Sequence, residues 1–220
     1  MNDRRYKITL WTSVIGAIVL VVGGIVALAI YSERQGSNIV VPGVTELVPE
    51  DHVFGSAEAT VTLVEYGDFQ CPACAAYALV VKQVKDEYAD RIRFVYRDFP
   101  LTQHRNARAA SYAAEAAGVQ GKYWEFHDLL FERQEAWAAS SASDVQKIHE
   151  GYAELLGLDL GKFAADRDAD LTRRGVDADQ RSGIQAGVAS TPTFYLNGRK
   201  LDARSYDDFK RDIDALLATP

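Results

Sequence analysis

Only two cysteines occur in 220 residues, and no second CxxC accompanies Cys71-Pro72-Ala73-Cys74. The four histidines, His52, His104, His127 and His149, are scattered without ligand spacing, so no four-ligand zinc site can be read from the pattern. Basic residues are outnumbered by acidic ones, 24 to 31, and the net charge of −7 leaves no footprint for nucleic acid. Acidity of this kind most simply means solubility. No charged residue interrupts the stretch from Ile8 to Ile30, and no convincing strand breaks the Ala-rich chain between His104 and Gln185. The aromatic and aliphatic residues of that Ala-rich region read as core, and nothing in their spacing suggests a cofactor box.

The two cysteines follow the apolar run Val61-Thr62-Leu63-Val64-Glu65-Tyr66, where a strand runs into a helix. Thiols two residues apart at such a junction predict redox chemistry. With helical geometry from Pro72 onward, the first sulfur lies at the helix N-terminus, where unpaired N–H groups and the macrodipole favour a thiolate. The second lies one turn further in and can attack any mixed disulfide formed at the first. Two bland alternatives are weaker. Half a zinc site lacks its partners, and a structural bridge closing so short a loop removes little unfolded-state entropy.

The charge-free stretch Ile8–Ile30 reaches about 34 Å as a helix, enough for a bilayer core of roughly 30 Å. Arg4, Arg5 and Lys7 precede it, which places residues 1–7 in the cytoplasm and everything after Tyr31 outside. Ala27-Leu28-Ala29 has the form of a signal-peptide cleavage site, but the apolar run exceeds the usual h-region, favouring an uncleaved anchor over 8–30. Either reading leads to an oxidising compartment where a disulfide persists. Residues 31–53 read as an extracytoplasmic tether, interrupted by Gly36, Ser37, Pro42, Gly43 and Pro49 and without sustained periodicity.

The rest, residues 54–220, has the size of one domain. Ala59 to Tyr66 fits a buried strand, Pro72 to about Tyr88 a helix and Arg91 to Arg97 a second strand, which together make a βαβ unit. Helical patterns follow: Asn106 to Ala117 ending at Gly118; a segment carrying Tyr123, Phe126, Leu130 and Phe131; and one opening at Ser143 with Gln146 as a capping box. The last shows Val145, Ile148, Tyr152, Leu155 and Leu156 on one stripe. Strand character returns at Thr193-Phe194-Tyr195-Leu196, Asn197-Gly198 signals a hairpin into Arg199-Lys200-Leu201, and Ser205 caps a final helix buried through Phe209, Ile213, Leu216 and Leu217.

Taken together, the segment Val64-Glu65-Tyr66-Gly67-Asp68-Phe69-Gln70-Cys71-Pro72-Ala73-Cys74, His104 with its Ala-rich helix, Gln120 to Asp128, and Ser190-Thr191-Pro192-Thr193-Phe194 resemble the DsbA-like thiol-disulfide oxidoreductases. That family has an α/β thioredoxin-like fold with an inserted helical subdomain, here expected over about 103–186. The separation of Cys71 from Pro192 is too long for a minimal thioredoxin and matches the insertion. The resemblance implies that Cys71 is the exposed nucleophile, Cys74 the buried resolving thiol, and Thr191-Pro192 the cis-proline loop beside them. Substrate contacts fall to Pro72, Ala73, Thr191 and Thr193. Glu65 occupies the place where such enzymes keep a carboxylate beneath the resolving cysteine; inside an apolar strand its pKa should rise, suiting it to exchange the Cys74 proton. The alternative is a strand-end glutamate reaching solvent, and Asp68 reads as a loop or capping acid.

The resemblance further implies no cofactor beyond the Cys71–Cys74 disulfide, exported or unfolded cysteine-bearing proteins as substrates, and a membrane redox partner of the quinone-linked oxidase kind. Strong oxidants of the family carry His where this chain has Ala73, which leaves direction less determined than type. The expectation is an extracytoplasmic oxidase, with a reductase or isomerase, or a chaperone-like peptide-binding module, as alternatives.

Overall fold

The computed structural model describes residues 16–26, 28, 40–56 and 58–218. The chain divides into two units, Met1–Ile39 and Val40–Pro220. In the first, residues 16–26 are helical and their Val, Ile and Leu side chains are exposed. Among the described residues no helix is long and apolar enough to cross a membrane. Apart from Leu28, the rest of the expected span Ile8–Ile30 lies outside them.

In the second unit β1 (Val53–Gly55), β2 (Val61–Gly67) and β3 (Ile92–Asp98) are joined later in the chain by β4 (Thr193–Leu196) and β5 (Arg199–Lys200). The sheet order is β1-β3-β2-β4-β5, so β2 lies at its centre. Between β2 and β3 runs helix α1 (Pro72–Tyr88), and that crossover makes the two strands parallel, with Val61 opposite Ile92 and Gly67 opposite Asp98. Every residue of β2 is buried. Its side chains alternate between two cores: Leu63 packs with α1 and Phe94, while Val64 and Tyr66 pack with Val95, Phe99 and Tyr195 on the other face. A strand covered on both sides must be apolar throughout, so Glu65 stands out.

Helices α2 (Ala107–Val119), α3 (Tyr123–Glu132), α4 (Gln134–Trp137), α5 (Ala142–Leu155), α6 (Leu160–Asp168) and α7 (Asp170–Ala186) fill the chain between β3 and β4. The alanine face of α2 is fully buried at Ala110, Ala113, Ala114 and Ala117, because small side chains let neighbouring helices approach closely. The cap of α5 differs from the sequence expectation. Ser141, not Ser143, accepts from the Asp144 N–H, and Gln146 instead reaches Glu150 at 3.1 Å. Its buried stripe also shifts: Leu155 is exposed and His149 takes an interior place. The β4–β5 turn is as expected, with Asn197 and Gly198 both at positive φ, the geometry of a type I′ hairpin. Helix α8 (Tyr206–Leu217) begins with the Ser205–Asp208 capping box.

The expected tether is shorter than its pattern. From Val40 the chain is bound to the sheet: Val40 bridges Arg199, the Val41 N–H donates to the Gly198 carbonyl at 2.8 Å, and Val44 is buried. Arg97 ties this segment to the sheet through all five of its donors, four of them to the segment and one to Tyr66 in β2. Nε and Nη2 take both Asp51 carboxylate oxygens at 3.0 and 2.8 Å, and the others reach the Val44 and Glu46 carbonyls and the Tyr66 hydroxyl. Attachment through backbone carbonyls and one buried ion pair leaves no periodic trace in a sequence.

Candidate active site

Strand β2 ends at Gly67 and the chain turns through residues 68–71 into α1. The Tyr96 ring lies where a side chain on residue 67 would be, so only glycine fits beneath it. Asp68 closes the turn. Its Oδ1 accepts from the Gln70 N–H at 2.7 Å, and its Oδ2 accepts from the Leu101 N–H at 2.8 Å and pairs with His104 Nδ1 at 2.7 Å. It is a loop-capping acid, as its position suggested, and His104 is its partner from the start of the insertion.

Cys71 is the N-cap of α1, with extended backbone and Pro72 following it at the first helical position. Both thiols are free. Cys74 is fully buried and Cys71 is only 7% exposed, so the expected exposed nucleophile is recessed. The loop of Thr191 covers it, with the Cys71 thiol 3.5 Å from the Thr191 carbonyl oxygen, and the Thr191–Pro192 bond is cis. Pro72 and Ala73 are exposed beside it. Thr193 is buried, and its hydroxyl donates to the Ser190 carbonyl at 2.7 Å, so its side-chain oxygen already has a partner within the loop. A groove of about 330 Å³ runs beside Pro192, lined by Tyr77, Phe194, Lys200 and Leu201 among others.

The electrostatics separate the two sulfurs. A hydrogen bond from the Cys74 thiol pulls the Cys71 pKa down to about 5; burial opposes this, while Thr191 and the N–H groups of Cys74 and Ala73 assist it. Burial pushes the Cys74 thiol far up, and its bond to Cys71 and the nearby Glu65 add to the rise. Glu65 is 2% exposed, in register between Tyr96 and Phe194. Burial raises its carboxyl to about 8, against the pull of Lys85 and with help from Cys71. The solvent-reaching alternative for Glu65 is thereby excluded.

Lys85 was not foreseen. It is buried, with its ammonium 4.5 Å from the Phe54 ring and 4.4 Å from Trp124, and 3.7 Å from Asp128. Burial lowers its pKa although Asp128 opposes this. Its only sequence signal is a lysine on the buried side of an otherwise apolar helix stripe. Gln134 was missed as well; its amide reaches the Cys71 backbone from α4.

A thiol on the N-cap residue of a helix, a shielded thiol one turn on and a cis-proline loop against the first sulfur make the arrangement of a thioredoxin-fold redox centre. A family model described as thioredoxin matches residues 47–215, and the chain belongs to that family. Proteins of similar structure include DsbA-like ones. The similar structures include a thioredoxin-like oxidoreductase from Silicibacter pomeroyi DSS-3, at 25% identity and TM-score 0.66 over 79% of this chain and 95% of that one. BdbD from Bacillus subtilis shares the fold at 22% identity and TM-score 0.70, covering 82% of this chain and 99% of that one. Wolbachia pipientis alpha-DsbA1 does so at 21% identity and TM-score 0.70, covering 78% and 93%. Among curated proteins, the Na(+)/H(+) antiporter NhaA 1 of Salinispora arenicola is 43% identical over 154 residues, 68% of this chain but 22% of that protein. The chain thus spans about a fifth of the length of such relatives, and the antiporter name belongs to them.

Proposed function

We propose that the protein is an extracytoplasmic oxidase that passes its Cys71–Cys74 disulfide to folding exported proteins, and that a quinone-linked membrane partner restores it. The observation that carries this reading is Cys71 at the N-terminus of α1 against the cis Thr191–Pro192 loop with Cys74 fully buried one turn on, a placement that favours the thiolate at Cys71 and the thiol at Cys74. A substrate thiolate attacks Cys71 Sγ, the Cys71–Cys74 bond breaks, and Cys74 leaves and takes up a proton supplied by Glu65. A second substrate thiolate then attacks the first substrate sulfur and expels Cys71 as a thiolate. Two electrons have passed to the protein and one disulfide to the substrate. A Cys71 pKa about two units below neutral pH favours the reduced protein by roughly 60 mV, which makes the disulfide a better oxidant.

Substrate docks in the groove beside Pro192, where the backbone of Thr191 offers pairing to an extended segment and Pro72 and Ala73 form the opposite rim. The charge-free stretch Ile8–Ile30, the basic residues before it and the exposed apolar side chains of residues 18–26 support an N-terminal anchor that leaves the catalytic unit outside the cytoplasm. Trapping thiols in intact cells tests the direction: an oxidase rests with Cys71 and Cys74 mostly bridged. A pair found mostly reduced would promote the reductase reading on the same scaffold. In the same cells an anchored protein resists carbonate extraction, and a soluble form beginning near Ile30 would replace the anchor with a cleaved signal.

A further inference from the structure

The loop that carries the redox pair is bonded to the helical insertion as well as to the sheet. Gln134, the first residue of α4, donates from Nε2 to the carbonyl oxygens of Phe69 at 2.7 Å and of Cys71 at 3.0 Å. Gln70 reaches the other way. Its Nε2 donates to the Ala138 carbonyl at 2.7 Å, and its Oε1 accepts from the Asn106 N–H at 2.7 Å. Asn106 Nδ2 in turn donates to the Ala138 and Ser140 carbonyls at 3.1 and 3.0 Å. A helix of four residues has little stability of its own. Trp137, fully buried with its indole N–H on the Leu130 carbonyl at 2.9 Å, is what seats α4 and so aims Gln134.

We propose that Gln134 and Gln70 are positioning residues for the redox step: through them the helical insertion fixes the backbone on which the Cys71 thiolate is stabilised. The inference deepens the oxidoreductase reading of Cys71 and rests on it. Two effects act in one direction. The N–H groups of Ala73 and Cys74 assist the Cys71 thiolate from the first turn of α1, which begins at Cys71 in its extended N-cap conformation, and the clasp holds the residues on the N-terminal side of that cap. The Gln134 amide also places its positive end against two carbonyl oxygens near the thiolate, of which that of Cys71 also accepts from the Ala75 N–H at 3.2 Å. Removing the amide loosens the cap and takes a donor from both carbonyls, and each change disfavours negative charge on Cys71.

The test titrates the Cys71 thiolate of the reduced full chain by ultraviolet absorbance and by alkylation rate against pH, and measures the potential against glutathione. Gln134→Leu keeps the size of the side chain without its donors, and Gln70→Met does the same on the other side of the clasp. Gln120→Leu is the control, because Gln120 makes a comparable amide clasp inside the insertion, to Asp159, at 3.1 and 2.9 Å. Losing a hydrogen bond of ordinary worth predicts about a three- to tenfold lower thiolate-to-thiol ratio at a given pH for Gln134→Leu, equal to roughly 15–30 mV toward a less oxidising potential. Gln70→Met should move the same way and Gln120→Leu not at all. Shifts in Gln134→Leu and Gln70→Met no larger than in the control overturn the proposal, and Gln70→Met decides alone if Gln134→Leu does not fold. The wild-type titration separates the two levels: a Cys71 of ordinary acidity there overturns the redox reading, and this inference with it, before any variant is compared.

Discussion

Glu65→Gln isolates the cost of keeping a carboxyl in the middle of the sheet. In the folded, reduced protein burial lifts the Glu65 carboxyl from its ordinary 4.5 to about 8. The unfolded chain releases that proton near 4.5, so between about pH 4.5 and 8 the folded state binds a proton that the unfolded state has lost. Stability must then fall as pH rises through this window, by at most about 1.4 kcal/mol per pH unit and about 5 kcal/mol in all. Glutamine has the same shape and does not titrate. The variant should match the reduced wild type within about 1 kcal/mol at pH 4 and exceed it by several kcal/mol at pH 8. Urea unfolding of both proteins at intervals from pH 4 to 9, with the thiols kept reduced, gives the difference directly. Asp98 and Asp179 are also raised by burial, but they titrate in both proteins and cancel. A stability difference that stays flat with pH would show that Glu65 ionises at its ordinary value, and its role as proton donor to Cys74 would fall with it.

Limiting alkylation of the reduced protein at pH 6 should label Cys71 overwhelmingly, since Cys71 titrates near 5 while Cys74 is held far above its ordinary value; predominant labelling of Cys74 would reverse the assignment. The wild-type potential should lie between those of thioredoxin and DsbA, about −270 and −120 mV, and Ala73→His should move it upward because an imidazolium beside Cys71 favours the reduced form. A wild-type value at or below that of thioredoxin would favour a reductase. Asp51→Ala leaves the Arg97 guanidinium buried without its carboxylate and should destabilise the protein by about 3–5 kcal/mol; an unchanged urea midpoint would mean that residues 44–51 are a tether after all.

Features set by near neighbours were legible in the sequence. Cys71-Pro72-Ala73-Cys74 after an apolar run located the redox pair at a strand-to-helix junction, because a proline and a helix terminus act on the residues beside them. Asn197-Gly198 announced its hairpin and Ser205 its cap for the same reason, each depending on backbone only a few residues away. The partnership of Cys71 with Thr191 and Pro192 came from family resemblance and not from any local signal. What decided the site lay further off along the chain. Gln134 reaches Cys71, Lys85 sits between Phe54 and Trp124, and Arg97 gathers Val44, Glu46 and Asp51 only after the sheet and insertion have closed. The choice of His149 over Leu155 for the interior followed from how α5 rolled against its neighbours, which its own periodicity left open within one turn. A hydrogen bond or a buried charge requires two groups within about 3–4 Å. Sequence pattern sets that distance for residues a turn apart, and only tertiary packing sets it for residues separated by most of the chain.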